Sequence, residues 1–304
     1  MKKKVKLLVI GDNCFDITIK SKFDFQKDRN FLPEYYVSKP AGTGVNFAVS
    51  FSRLSGNAVY FTPISFDSFG NEIKNFLLKN GVKIGASTSK LNTALIVALV
   101  NESGERTTFA LIKNASYTDI SLKEFANLDL SNFDGVYISG GINTEPEVFG
   151  EILRIVDRIK ESSGKLYFDP QIRIGKGIPG FVEISNRIAE KSDIIFANDE
   201  EVEVIDGGIL KNRIVVEKRG EKGAAVFENG KEISRIGGIK VSVVDTTGAG
   251  DVFDAAFLVQ YLSGVSIEDS LKFANIAGAI SVSKSGAYAP FVSEVEGFIG
   301  KYEK

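Results

Sequence analysis

From about Ser131 to Glu217 the chain alternates short apolar runs with stretches of helical periodicity, and that alternation leaves few folds open. Asp134-Gly-Val-Tyr-Ile-Ser-Gly140 reads as a buried strand ending in glycine. Val148, Ile152, Ile155, Val156 and Ile159 then recur at helical spacing up to Gly164. A strand over Lys165–Phe168, a helix over Phe181–Glu190, a strand over Asp193–Ala197, a short helix from Asp199 and a strand over Arg213–Glu217 follow. Strands that alternate with helices predict an α/β fold: a doubly wound, mainly parallel sheet with helices on both faces. Ligands of such sheets bind outside the carboxyl ends of the strands. The polar and glycine-rich features sit there: Gly140-Gly141, Asp169-Pro170, Asn198-Asp199 and Lys218-Arg219-Gly220.

The N-terminal third has another rhythm. Lys4–Ile10 reads as a strand and Val45–Leu54 as a helix flanked by Gly44 and Gly56, but Ile17–Lys22 and Glu34–Ser38 read as strands with no helix between them. A second pair, Ala94–Val100 and Arg106–Ile112, is joined by Asn101-Glu-Ser-Gly-Glu105, a plausible hairpin turn. Four short antiparallel strands in two pieces form either a small inserted lid, drawn from about 15–39 and 91–113, or an extension of the main sheet. With no internal repeat and no low-complexity linker, residues 1–304 are expected to make one unit carrying this flap.

Composition removes several classes of function. With 37 basic and 39 acidic residues the formal charge is −2, which argues against a broad nucleic-acid surface. The longest apolar stretch, Ala94–Val100, is far below the ~20 residues that span a bilayer. The Val5–Ile10 run after the basic N-terminus stops at Gly11-Asp12 without a small-residue cleavage site, so a cytoplasmic location is expected. The chain has no histidine, which excludes Ser-His-Asp triads and HExxH metal sites, and the lone Cys14 excludes an internal disulfide or a cysteine zinc cluster. Chemistry is left to carboxylates, Lys and Arg, hydroxyls, backbone amides and a borrowed metal.

Asp245-Thr-Thr-Gly-Ala-Gly-Asp251 leads straight into Val252-Phe-Asp-Ala-Ala-Phe-Leu-Val-Gln-Tyr-Leu262, a glycine turn opening an apolar helix. Helix N-termini present unpaired amides and partial positive charge, and glycine lets an oxyanion approach. The amides of Gly248, Ala249 and Gly250 would make an anion hole for a phosphoryl group, with Asp251 beside it to take a proton from an attacking hydroxyl. An aspartate in a first helical turn also serves as a plain cap, so both roles stand at this point.

The segment DTTGAGD with its small, apolar helix resembles the C-terminal signature of the ribokinase-like (PfkB) family of sugar kinases. Ala41-Gly-Thr-Gly-Val-Asn-Phe-Ala48, ending at Leu54-Ser-Gly56, is similar to the family's other signature. Asn198-Asp-Glu-Glu201 resembles its NxxE motif, Phe168-Asp-Pro-Gln-Ile-Arg173 its FDPNxR segment, and Glu217-Lys-Arg-Gly-Glu-Lys-Gly223 and Asn275–Gly286 its nucleotide-side elements. The matches keep family order along nearly the whole chain. The resemblance implies Asp251 as catalytic base, Gly248, Ala249 and Gly250 as the anion hole, and ATP and Mg2+ as cosubstrates. Asn198 and Glu201 would order the magnesium, water and phosphate network, Glu201 acting on the metal through water, although the pair also reads as an N-cap and a first-turn acid. Gly42, Gly44 and Asn46 would meet the sugar, as would Asp16 and, by a looser match, Asp12. Arg173 would contact a phosphate or a substrate carboxylate, or else lie solvated on the surface. Lys218, Gly220, Gly223, Asn275 and Gly286 would surround the nucleotide. Cys14 reads as a small packed residue.

The chain also departs from the pattern. The family usually has asparagine where Gln171 and Asp254 stand. Members acting on 2-keto-3-deoxygluconate commonly carry tyrosine and arginine in the second lid strand, where Phe109-Ala-Leu-Ile-Lys113 stands here. Ala287-Tyr-Ala-Pro290 matches poorly the potassium loop of ribokinase itself, so monovalent-cation activation stays open rather than implied. The implied function is ATP-dependent phosphorylation of a primary hydroxyl on a small sugar or sugar derivative. Lys20, Lys22, Lys39 and Lys113 are the basic residues from which a sugar-phosphate site would have to be built. A nucleoside kinase and a non-catalytic sugar or nucleotide sensor are the alternatives on the same fold. An NAD oxidoreductase is disfavoured, since Gly11-Asp-Asn-Cys14 stands where G-x-G-x-x-G belongs. Lid strands left at an edge make a homodimer an expectation of geometry.

Overall fold

Hydrophobic periodicity and chain reversal decide the element order, seen here in a computed structural model that describes residues 4–21, 32–101, 103 and 105–302. Along the chain, β1 (Lys6–Ile10) is followed by β2 (Cys14–Lys20), β3 (Tyr35–Ala41), α1 (Thr43–Arg53), β4 (Asn57–Tyr60), β5 (Ile64–Ser65), α2 (Ser68–Lys79), β6 (Lys83–Ile84), β7 (Thr88–Ser89), β8 (Ala94–Val100) and β9 (Arg106–Leu111). After α3 (Leu122–Phe125) come β10 (Gly135–Ser139), α4 (Pro146–Glu161), β11 (Leu166–Asp169), α5 (Ile172–Gly175), α6 (Phe181–Lys191), β12 (Ile194–Asn198), α7 (Asp199–Val204), α8 (Gly207–Leu210) and β13 (Ile214–Lys218). The chain then runs through β14 (Ala224–Glu228), β15 (Lys231–Ile236), α9 (Ala249–Tyr261), α10 (Ile267–Val282) and α11 (Val292–Tyr302).

The main sheet has the order β15-β14-β13-β12-β11-β10-β1-β4-β6, parallel from β13 to β6. Alternate residues feed opposite faces. Leu7, Val9, Tyr137 and Phe196 pack with α1, α9 and α10, while Leu8, Ile10, Ile138 and Phe168 meet the buried stripe Val148, Ile152, Ile155, Val156 and Ile159 of α4. Strands buried on both sides carry no polar face, which is why they read as unbroken apolar runs. Strand order reverses between β1 and β10, so the crevice at their carboxyl ends is the topological switch point. Helix α9 is apolar nearly all round because it lies between the sheet, α1 and α10.

Residues 224–236, unassigned from the sequence, form the antiparallel hairpin β14–β15 at one edge. Its Asn229-Gly230 turn has φ of 51° and 70°, so the Asn-Gly pair was an available signal.

The second sheet, β3-β2-β8-β9, is separate from the first and forms the small lid. One expectation is corrected. β2 and β3 are antiparallel, as are β8 and β9, but the central pair β2 and β8 is parallel. Each hairpin leaves the body and returns to it, and the two outgoing strands lie side by side, so they point the same way. Lys22 lies outside the described residues, as do Glu102 and Gly104 of the β8–β9 turn. Among the described residues no helix is long and apolar enough to cross a membrane.

Candidate active site

The glycine turn is built from the acid that opens it. Asp245 Oδ1 accepts the Thr247 amide at 2.9 Å and Oδ2 accepts the Gly286 amide at 2.8 Å, tying the turn to the loop after α10. Burial raises the pKa of Asp245, but these hydrogen bonds and the charge of Lys39 outweigh it and hold the carboxyl below its ordinary value. Gly248 is the N-cap of α9 at φ 72°, a left-handed conformation that glycine adopts without strain. Among the described residues the amides of Gly248 and Gly250 have no intramolecular acceptor, whereas the Ala249 amide donates to the Thr246 carbonyl at 3.3 Å. Of the three amides expected in the hole, two are therefore free and the third is partly engaged.

Asp251 occupies the third position of α9 with its side chain buried. Asn46 Nδ2 donates to its Oδ2 at 2.9 Å, and Gln171 Nε2 to its Oδ1 at 3.2 Å. Burial pushes its pKa well above the ordinary carboxylate value; the Asn46 bond and Lys218 pull it down, and Asp169 and Asp12 push it up. A carboxylate oriented by two side-chain amides, with its proton affinity raised by burial, can accept a proton as well as cap a helix.

Behind the turn lies a buried ion cluster. The Lys218 ammonium is 2.7 Å from Asp169 and 3.1 Å from Asp254, and a Cβ on Gly250 would stand 3.5 Å from it. Tyr137 donates to Asp254 at 3.2 Å, and Gln171 Nε2 to Asp169 at 3.0 Å, so the cluster is linked to Asp251 through one amide. Burial opposes the Lys218 charge, but Asp169, Asp254 and Glu201 raise its pKa and keep it protonated. Asp254 is raised well above the usual range, chiefly by burial.

Glu201 is buried and pushed up to about 7, first by burial and then by Asp169, against Lys218. Its Oε2 accepts the Asn198 amide at 2.8 Å and its Oε1 the Ile172 amide at 3.1 Å, while its own amide donates to Asn198 Oδ1 at 3.0 Å. This is a full capping box at the start of α7, so the pair does serve as N-cap and first-turn acid.

On the other side of the base, Asp12 is buried and accepts from both the amide and the hydroxyl of Thr43, the amide at 3.1 Å. Burial raises its pKa and the bonds from Thr43 and Gly44 lower it. Asp16 on β2 is half-buried and raised, first by burial, with Lys39 and Arg106 pulling it down. Burial, with the charges of Asp12 and Asp16, raises the pKa of the Cys14 thiol between them. Gly42 and Gly44 are required by the protein itself. A Cβ on Gly42 would lie 2.5 Å from the Asp12 carbonyl, and one on Gly44 2.7 Å from Gly11 Cα. These glycines let the start of α1 pack on the end of β1.

The residues expected around the nucleotide divide. Gly220, at φ 55°, opens the turn after β13, and Gly223, at φ 95°, closes it against Gly237 and Gly238. Asn275 is buried on α10 and donates to the Gly237 carbonyl at 2.9 Å, so it fastens the same wall. Gly286 contacts Lys39 of the lid. Lys218 differs from its expectation, since its ammonium is spent on carboxylates. Arg173, on α5, is exposed. Gln171, Asp169, Asp254 and Tyr137 were not assigned to the site from sequence; the resemblance of Phe168–Arg173 to a family segment and the departures at Gln171 and Asp254 pointed toward the first three, and nothing local marks Tyr137. Asn143, just beyond β10, is fully buried with both amide atoms unpaired among the described residues. An open cleft of about 760 Å3 lies at the opposite, amino ends of the strands, where Lys160 pairs with Asp193.

Comparison with known proteins gives the family and the fold. The family model for pfkB family carbohydrate kinases matches residues 4–294. A protein named probable fructokinase-5 from Arabidopsis thaliana is 30% identical over 83% of this chain and 85% of its own length. Among solved structures, a fructokinase with bound ATP from Xylella fastidiosa superposes with a TM-score of 0.84 at 18% identity, covering 99% of this chain and 100% of that one. Ribokinase from Thermotoga maritima does so at 0.77 and 24% identity, covering 98% and 100%. The fold is thus ribokinase-like, and the chain belongs to the pfkB family of carbohydrate kinases, phosphotransferases with an alcohol acceptor.

Proposed function

We propose that the protein transfers the γ-phosphoryl group of MgATP to a primary hydroxyl of a small sugar, with a ketohexose such as fructose as the leading acceptor. The observation that carries this reading is Asp251, a buried carboxylate oriented by Asn46 and Gln171 beside the free amides of Gly248 and Gly250. Relatives named fructokinase, such as that of Arabidopsis thaliana, favour the ketohexose. In the cycle, the sugar lies between lid and body against Asp16, and the nucleotide lies along the carboxyl edge from the Gly220–Gly223 turn to Gly286. Asp251 takes the hydroxyl proton as its oxygen attacks phosphorus, and the Gly248 and Gly250 amides hold the charge on the moving group. Closing the lid excludes water and limits loss of the phosphoryl group to hydrolysis.

The residues fit magnesium that arrives hydrated with the nucleotide rather than an ion chelated by the protein. Among the described residues no group of three acidic or cysteine side chains could hold a metal, and each oxygen of Glu201 already accepts one amide. Glu201 keeps lone pairs for a metal-bound water, which suits an ion that sheds its hydration shell reluctantly. That ion would neutralise charge on the phosphates. The outer lid face, carrying Tyr36, Phe109 and Leu111 opposite the Asp16 face, supports pairing with a second copy of the chain; light scattering on the purified protein tests it.

The deciding experiment is a coupled ADP-release screen over ketohexoses, aldohexoses, pentoses, sugar acids and nucleosides. Fructose-dependent ADP release is the expected result. Release with a nucleoside alone would move the protein to the nucleoside kinases, and the absence of ADP release with every acceptor would leave a sensor.

A further inference from the structure

Lys39 has no role in the reaction as described above, yet its side chain crosses the seam between lid and body. It stands on β3 directly opposite Asp16 on β2, so both side chains share the lid face that looks toward the body. The half-buried side chain then crosses to the loop after α10. A methyl group on Gly286 would collide with Lys39 Nζ and lie 3.3 Å from its Cε. That loop borders the anion turn on both sides of this contact. The Gly286 amide holds Asp245, the first residue of the turn, and a Cβ on Gly248 would stand 2.5 Å from the Cβ of Ala287.

Among the described residues no carboxylate lies within 4.0 Å of the Lys39 ammonium. Lys39 faces Asp16 across the strand pair and touches Gly286, whose amide holds Asp245, and its charge pulls down both acids. An ammonium carries three donors, and a half-buried one with no anionic partner keeps them for an anion that binds there. The other cation near the turn, Lys218, is already committed to Asp169 and Asp254.

We propose that Lys39 is a catalytic residue brought by the lid: its ammonium contacts the transferred phosphoryl group from the lid side while the Gly248 and Gly250 amides bind it from the body. This rests on the kinase reading above. In the step itself the acceptor oxygen bonds to the γ-phosphorus, the bond from that phosphorus to the bridging oxygen breaks, and the electron pair leaves with ADP. The acceptor proton goes to Asp251, and Lys39 stays protonated, lending charge only. Lid closure would then complete the phosphoryl site as well as cover the sugar, which makes productive transfer depend on a bound acceptor.

The test compares wild type with Lys39→Met and Lys39→Arg on the best acceptor from the screen, after thermal melts show equal folding. Removing one donor aimed at the reacting group is expected to lower kcat of Lys39→Met by about 100-fold or more. Lys39→Arg should keep more activity, and KM for the acceptor should change little. Affinity for ADP with aluminium fluoride and sugar, a mimic of the transferring group, should fall in step with kcat, while ADP alone binds as before. A Lys39→Met enzyme with wild-type kcat overturns the proposal. So does a defect confined to KM for sugar acids, which would make Lys39 a reader of substrate charge. If none of the acceptors makes the wild type release ADP, the kinase reading fails and the proposal with it, an outcome distinct from an active enzyme indifferent to Lys39.

Discussion

The Lys218 ammonium stands 2.7 Å from Asp169, and Asp169 accepts the same Gln171 amide that reaches Asp251. A charge on one strand therefore bears on the geometry of a carboxylate on a helix through a single side chain. The arrangement also concentrates Asp169, Glu201, Asp251 and Asp254 around one cation, which is why burial and mutual repulsion raise three of these acids.

Replacing Asp251 by Asn keeps the shape of the site and removes its base. Turnover should fall by about 100- to 10,000-fold, the range for a positioned general base, with ATP and sugar binding retained. Steady-state kinetics beside calorimetric titration of each ligand checks it; unimpaired turnover would reject the assignment.

Asn46→Ala removes the 2.9 Å bond that favours the ionised form of Asp251. The folded pKa of that carboxyl then rises further. Because the base must be ionised to act, kcat climbs with pH through this pKa, and the acid limb of the kcat profile should move to higher pH in the variant. An acid limb that stays in place would separate Asn46 from the base.

Lys218→Met leaves Asp169 and Asp254 buried without their cation, and loss of one partner from a buried pair costs about 3–5 kcal/mol. Adding Asp254→Asn should recover part of that loss, and Asp254→Asn alone should cost less than Lys218→Met, since the Lys218–Asp169 pair survives. Denaturant unfolding of the three variants checks the order. Should Lys218→Met instead fold normally and raise only KM for ATP, the residue would be a nucleotide ligand, as the family resemblance implied.

Glu201 binds its proton up to about pH 7 in the folded chain, whereas an unfolded glutamate loses it near 4.5. Between those values the folded state holds more protons, so this group makes stability fall as pH rises from about 4.5 to 7. The lowered groups Asp67, Asp193 and Asp245 act the other way, but only below their unfolded value of 3.8. The melting temperature of the unliganded protein should therefore decline across that window, and Glu201→Gln should flatten the decline. A melting temperature that rises from pH 5 to 7 would contradict the raised pKa.

What could be read from the sequence was local. The apolar runs of β10 to β13 and the stripe of α4 follow from burial periodicity, and the turn before α9 from glycine at a left-handed N-cap, because such preferences are set within a few residues. The place of Asp251 in the first turn of α9 was legible for the same reason, since the glycine turn just before it sets where the helix starts. The tertiary structure alone decided the rest. The parallel pairing of β2 with β8 depends on two hairpins leaving the body together. The partners of Asp251 come from positions 46 and 171, and Lys218 turns inward because Asp169 and Asp254 arrive from another strand and a helix. Lys39, an ordinary lysine in an exposed-looking strand, comes to lie against Gly286 only once the lid is folded over the body. Local preference acts over one turn or one strand, whereas Coulomb attraction and desolvation act over ångströms of space that sequence distance does not measure.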